Sequence, residues 1–494
     1  MKTPSTSLHD LVLTLTKSEK RYVKVQTGAK SKDYIELMDA LLAQETYDEA
    51  KLIKDNEGAN FLKYLAVNKR YLYELLLRLL AQFGQKAIED KVYDKLAAAK
   101  VLMKKGLFLS AFNELKKGQK LAAKYELFEL QIMLCGFQKK ISYKLRTIKP
   151  AEDTTPQLFE LETNALVQLT NTNEYWYLAQ RVARFQMRFQ KIQNEEQQQH
   201  LLELSQSAEF VNLSLATNFR SKIYFYQANA MYQFMHGQVK KAYEVNSQFL
   251  DLLEANPQFL SLYAENYLAT LNNMLIDSLV IKEYDVLKAG INRLEMTLKR
   301  PEFKSMKNME SRVFRQRYLL LINWSLSQKG YGSVLEWIPE IEAGLQQFGE
   351  KIEKHHRLTF YYLLAYLLFL NKRCDEALKW NNLILNDAKE DVVKEIYYFA
   401  RTLNLFIHFE LGNSDLLGSL LLSTPKYLKS RRAIYATEKT MFRFLGKSLA
   451  APNRKARQEL ASAFKVEVGR LAQEPGERRV FNYLDLRLWE IDYL

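Results

Sequence analysis

The chain has 494 residues and carries 71 Lys/Arg against 57 Asp/Glu, a formal net charge of +14. Its 17 Gly and 9 Pro are about half or less of the usual share of turn formers. That excludes sandwiches, barrels and propellers, and it argues against doubly wound folds, whose βα turns need glycine. A hydrophobic fraction of 48% and an aromatic fraction of 12% exclude a disordered chain and predict a large core in an all-α protein.

In chain order, a short helix is expected over 8–15. Thr16 and Glu19 have capping-box spacing and open the next helix. Helices over 31–43 and 59–83 follow, and in the second Leu72, Leu75, Leu76, Leu79 and Leu80 form one apolar stripe with Gly84 as its stop. Lys149-Pro150 and the run from Asp153 to Pro156 mark the clearest loop, with Pro156 at a first helical position behind a Thr cap. Asn194 to His200 is polar all round and is expected as an exposed helix end or loop. Further breaks are read at Asn256-Pro257, Arg300-Pro301, Thr424-Pro425, Ala451-Pro452 and Glu474-Pro475. Helical stretches of about 10–24 residues are expected between the breaks, in one continuous array without a linker.

The apolar stretch from Leu11 to Leu15 is too short for a signal peptide. The longest apolar run, Phe360 to Leu370, is short of the roughly 17–25 residues that cross a bilayer. Cys135 and Cys374 are isolated and read as small buried hydrophobes in a reducing compartment. A cytoplasmic protein without membrane contact is expected.

The positive charge is clustered. Residues 100–149 carry 12 Lys/Arg against 3 Glu, and Lys426 to Arg457 carries 10 against 1. Such clusters fit an acidic partner or nucleic acid. They fit a solvated helix face better, and that reading is preferred. In Leu115-Lys-Lys-Gly-Gln-Lys-Leu121 the cations alternate with apolar residues at helical spacing, not with stacking aromatics.

The main signal is an internal repeat. Ala99, Gly106 and Ala111 have the same spacing as Ala230, Gly237 and Ala242, and as Ala365, Lys372 and Ala377. A small residue on each helix lets two axes approach, and the residue between them serves as the left-handed stop of the first helix. Weaker copies centre on Lys282/Leu287, Gly330/Leu335 and Gly412/Leu417, where the Ala positions hold Leu or Asn. This pattern resembles the tetratricopeptide repeat (TPR), in the divergent form found among bacterial proteins. The best match runs from Tyr226 to Pro257, the next from Phe360 to Leu385, the third from Ala98 to Leu121. The resemblance implies a TPR-like α-solenoid of antiparallel helical hairpins over 90–494, preceded by an N-terminal helical region over 1–89.

Signatures of catalysis are not found. Gly344 to Lys351 has the glycine spacing of a P-loop, but Glu350 stands where the phosphate-binding Lys belongs. His355 and His356 are adjacent and are expected to point about 100° apart, too divergent to share a metal. Glu196, His200 and Glu203 make at most half a metal site, in a run better read as solvated surface. His408 is expected as a satisfied core histidine. No enzyme activity, cofactor or metal is expected.

Two functions are weighed. The first is a non-catalytic scaffold that binds a protein or peptide on the concave face of the array. The resemblance puts Tyr224, Gln227, Met231, Trp324, Tyr362, Tyr366, Phe369, Phe406 and Phe409 on that face. The same residues could instead be core. The second is a transcriptional regulator with an N-terminal helix-turn-helix-like part, for which Leu15 to Tyr22, Lys63, Lys69 and Arg70 are the candidates, and a TPR-like sensor. Nucleic acid is possible as a partner but not favoured, because no recognition helix rich in Arg, Asn or Gln stands out.

Overall fold

Six turns among the described residues share one backbone geometry. Each follows a helix and places one residue in the left-handed region: Gly106, Glu126, Gly237, Lys282, Lys372 and Gly412, with φ between 51° and 76°. At each, the next N–H donates to the carbonyl five residues back, as in Leu107 to Leu102, Gln238 to Gln233, Arg373 to Leu368 and Asn413 to His408, at 2.9–3.0 Å. This is the Schellman closure, which satisfies otherwise orphaned carbonyls and turns the chain sharply. A new helix begins two residues after the left-handed residue in every case. Every aligned turn position within the described residues therefore has the expected conformation, and Glu126 adds one that the sequence pattern does not show.

The computed structural model describes residues 6–27, 32–83, 88–148, 154–189, 195–304, 306–328, 331–387 and 393–491. Gly84, Lys149, Pro150, Asp153, Asn194 and Gly330 lie outside them, as do the side chains of Glu196 and His200. Among the described residues the protein is all-α, with no strand. None of these helices is long and apolar enough to cross a membrane. The chain divides into two compact units, Met1–Trp176 with Ala216–Ser221, and Tyr177–Leu215 with Lys222–Leu494.

Among the described residues two cores lie in the first unit. One gathers Val12, Leu37, Leu41, Phe61, Leu72 and Leu76 from helices between 7 and 83. Its capping box is formed as expected: Thr16 N–H donates to Glu19 Oε2 at 2.7 Å, and Glu19 N–H to Thr16 Oγ1 at 3.2 Å. The helix Glu49–Asp55, capped by Asp48, is an element the periodicity missed, because seven residues are too few to show a period. The other core packs the helices Ile88–Lys104, Phe108–Lys124 and Phe128–Ile148 through Val92, Ala99, Ala111, Leu115 and Leu134. Both repeat alanines, Ala99 and Ala111, are fully buried.

The second unit is built of successive helical pairs. Phe219–Met235 is followed by Val239–Glu254, Ala264–Val280 by Tyr284–Met296, Lys354–Leu370 by Cys374–Leu385, and Lys394–Glu410 by Ser414–Arg431. The first helix of all four pairs has 17 residues, about 25 Å of axial rise. Equal lengths and one turn type keep equivalent side chains in register. Ala365 and Ala377 are fully buried, and Ala242 nearly so. In the first pair Tyr226 and Phe249 stack across the two helices at 5.6 Å.

Where the alanines are missing, a glycine one turn further along compensates. Leu275 and Leu287 occupy the two small-residue positions of the pair 264–296, and both are fully buried. Gly290 makes room for Leu275; a Cβ there would lie 2.2 Å from Leu275 Cδ2. Gly344 likewise accepts the Phe314 ring. That glycine belongs to the P-loop-like run, within which a helix ends at Phe348.

Proline breaks hold at four of the five expected places. Pro257, Pro301 and Pro475 each open a short 3₁₀ turn, and Pro452 lies between helices. Pro425 is the correction: it sits inside the helix Ser414–Arg431. Proline there removes one intrahelical bond but does not end the helix, since Leu417, Thr424 and Leu428 stay buried along one face.

Two substitutions test this packing. Gly290→Ala should cost about 1–3 kcal/mol by overpacking against Leu275. Lys282→Gly should be neutral or stabilising by up to about 1 kcal/mol, because it relieves a left-handed Cβ. Urea unfolding of both variants against the wild type measures the two signs.

Candidate functional site

Three helices and the second helix of one pair line an open groove in the second unit. Its cavity volume is about 460 Å³, within the size range of ligand sites. Each helix contributes a stripe at helical spacing: Ala179, Gln180, Ala183 and Gln186 from Thr155–Phe189; Gln227, Ala230, Met231 and Phe234 from Phe219–Met235; Asn266, Ala269, Thr270, Asn273, Ile276 and Asp277 from Ala264–Val280. Asn246 and Phe249 come from Val239–Glu254. The small residues let a ligand approach the helix surfaces, and the carboxamides offer paired donors and acceptors.

Asp277 is the one ionisable side chain of this lining. It is 3% exposed, and Asn246 Nδ2 donates to its Oδ2 at 2.8 Å. Burial pushes its carboxyl up to about 6, against the pull of the Asn246 bond. Among the described residues no cationic side chain pairs with it.

Of the nine residues expected on the concave face, Gln227 and Met231 line this groove. Tyr224 is half-buried beside them and outside the lining. Trp324 is half-buried elsewhere, with Lys288 Nζ 4.9 Å above its ring.

The other five lie together, and the chain itself covers them. Residues 484–491 form a non-helical segment that buries Leu484, Leu486, Trp489 and Ile491. Tyr362 Oη donates to the carbonyl of Tyr483 at 3.0 Å, and Tyr366 Oη to that of Asp485 at 2.9 Å. Trp489 packs against Phe369, Phe406, Phe409 and Phe444, with ring centroids 5.3–6.1 Å apart. Its Nε1 donates to Glu410 Oε1 at 2.6 Å, and Lys372 Nζ reaches the same oxygen at 2.9 Å. Tyr362, Tyr366, Phe369 and Phe406 are 4% exposed or less, so here the face belongs to the core.

Counted back from the left-handed turns at 237 and 372, the open and the covered positions coincide. Gln227, Met231 and Phe234 correspond to Tyr362, Tyr366 and Phe369. Sequence reasoning missed Phe234, Asn246, Asn273 and Asp277. The signal was present in Ala264–Val280, where Asn266, Thr270, Asn273 and Asp277 make a polar stripe on an apolar helix.

Elsewhere the expected surfaces are mixed. Lys104, Lys105, Lys116, Lys117 and Lys120 are all exposed while Leu115 is fully buried, which is the solvated-face arrangement. Lys69 is paired with Glu49 at 2.6 Å and bonded to Tyr47. In the second basic cluster Arg432 is bound to the fully buried Glu438 at 2.6 Å. His408 is buried and bonded to Asn413 at 3.0 Å.

His355 and His356 correct the expectation that they diverge. Their rings are 3.8 Å apart, and both Nε2 atoms lie 3.5 Å from Glu353 Oε2. The two residues stand in the first turn of Lys354–Leu370, where both side chains fold back over Glu353. Arg315 Nη1 lies 3.8 Å from that same oxygen. Burial, with Arg315 beside it, pushes the His356 imidazole down to about 4. The carboxylate therefore already has a cation.

Compared with protein-family models, with curated proteins and with solved structures, the chain matches none.

Two outcomes follow from these surfaces. The Asp277 carboxyl is raised above its ordinary 3.8, so the stability it contributes is present below about pH 4 and lost as pH rises through about 6. Asp277→Asn should match the wild type near pH 4 and exceed it at pH 7 by on the order of 2 kcal/mol, read by urea unfolding at both values. Separately, reversal of the five exposed lysines to Glu should leave nucleic-acid titrations unchanged and empty. Tight binding by the wild type with a log–log salt slope of roughly −3 to −4, abolished by the reversals, would instead show a phosphate-reading face.

Proposed function

We propose that the chain is a non-catalytic binding protein, a TPR-like α-solenoid of helical hairpins whose groove over 179–277 takes a non-helical peptide segment of a partner protein. The observation that carries this reading is the register match within the second unit. At 362, 366 and 369 the first-helix positions hold a non-helical, turn-containing stretch of the chain itself, partly through main-chain carbonyls. At 227, 231 and 234 the same positions are open. A hairpin array presents such faces repeatedly, and what fills one of them indicates what suits the next. Here the aromatic anchors give way to amides, Met and small residues, which suits a peptide held more by its main chain than by one large side chain.

Affinity capture followed by mass spectrometry tests this reading on the full chain. Partners should be retained by Lys117→Glu and lost by Met231→Glu, which puts a charge into the groove wall. Capture unchanged by Met231→Glu would place partner binding elsewhere.

A further inference from the structure

The groove's wall has a chemical bias that its shape alone does not require. Asp277 is nearly inaccessible from bulk water, yet it lines the cavity. One carboxylate oxygen is engaged by Asn246, and nothing cationic among the described residues pairs with the group. An ionised carboxyl held in such a place weakens the fold unless a counter-ion arrives. Buried ionisable groups of this kind in a cleft mark functional sites. The remaining polar lining is neutral: Gln180, Gln186, Gln227, Asn266 and Asn273 carry no charge, so Asp277 is the one ionisable group on the groove's lining. In a chain of net charge +14, that is a local reversal of sign.

We propose that the groove selects a basic peptide, with a lysine or arginine side chain of the bound segment seating its cation on the Asp277 carboxylate while Gln227, Asn266 and Asn273 bond its main chain. This rests on the peptide-binding reading above and names the chemistry of its ligand. Phe234 and Ile276, 38% and 40% exposed, flank the groove and take apolar neighbours of the basic residue. The cation provides the charge partner that the fold withholds, so Asp277 acts as a specificity-determining residue. Its attraction is strengthened by exclusion of water from the groove floor. Neutral peptides keep the main-chain bonds and lose the ion pair.

The test uses the full chain at pH 7.5 with pools of acetylated, amidated hexapeptides, each pool fixing one position as lysine, arginine, norleucine or glutamate. Spermidine is titrated as a separate arm. Pools with lysine or arginine should bind at least tenfold more tightly than the norleucine pool, and glutamate pools should bind weakest. Asp277→Asn should remove that preference while leaving norleucine binding in place, and Asn273→Ala should weaken every pool. Equal binding of lysine and norleucine pools, unchanged by Asp277→Asn, overturns the cation seat and leaves peptide binding standing. Failure of every pool to bind overturns both readings. Spermidine binding that depends on Asp277, without peptide binding, assigns the carboxylate to a free polyamine and also overturns the proposal.

Discussion

The hydrogen bond that closes each left-handed turn fixes more than the local chain direction. When the N–H after Gly237 or Lys372 reaches the carbonyl five residues back, the last turn of the preceding helix is locked in phase with the start of the next. Because the first helices are of one length, a residue ten positions before the turn always lies on the same face. Gln227 and Tyr362 are such a pair, and Met231 and Tyr366 correspond in the same way six positions before the turn. Glycine makes this turn without a Cβ penalty, yet Lys282 and Lys372 adopt it as well. At Lys372 the side chain adds an ion pair with Glu410 at 2.9 Å, which ties the turn to the following pair of helices.

The same face then serves two ends within the second unit. In the pairs 354–385 and 394–431 it is aromatic and receives Trp489, so the final segment completes a core that two helices could not close alone. Glu477 reinforces the closure by accepting the N–H groups of Ala436 and Thr437 at 2.9 and 2.8 Å, a cap supplied to one helix from forty residues away. In the pairs 219–254 and 264–296 the face is lined by amides and small residues, and a single carboxyl stands on its wall. Burial of that carboxyl works against stability at neutral pH, a conflict between fold and local chemistry of the kind that binding sites carry.

The helices and their turns were legible in the sequence because each leaves a local mark. Ala–turn–Ala spacing locates the hairpins, and the Thr16–Glu19 box marks a helix start. The turn at Glu126 was hidden because it has neither glycine nor apolar residues at the flanking repeat positions, which hold Gln119 and Gln131, and the continuity of the helix through Pro425 because proline ordinarily ends one. The site was legible only in part. Gln227 and Met231 follow from register, but the fate of Tyr362, Tyr366 and Phe369 depends on Trp489, over a hundred residues further on. No periodicity within a helix encodes that contact. Gly290 shows the same limit: its value lies in Leu275 across the hairpin, and a pattern keyed to alanines at fixed positions passes over it.

Within the second unit one helix face is open where its counterpart is closed. Hydrogen-exchange mass spectrometry on the full chain, with and without the lysine hexapeptide pool, reads both places in one experiment. The account predicts slowed exchange confined to segments covering 227–234 and 266–277, with 362–369 already protected and unchanged. Slowed exchange at 362–369 together with released protection at 483–489 would show that the ligand displaces the chain's own segment, and would contradict it.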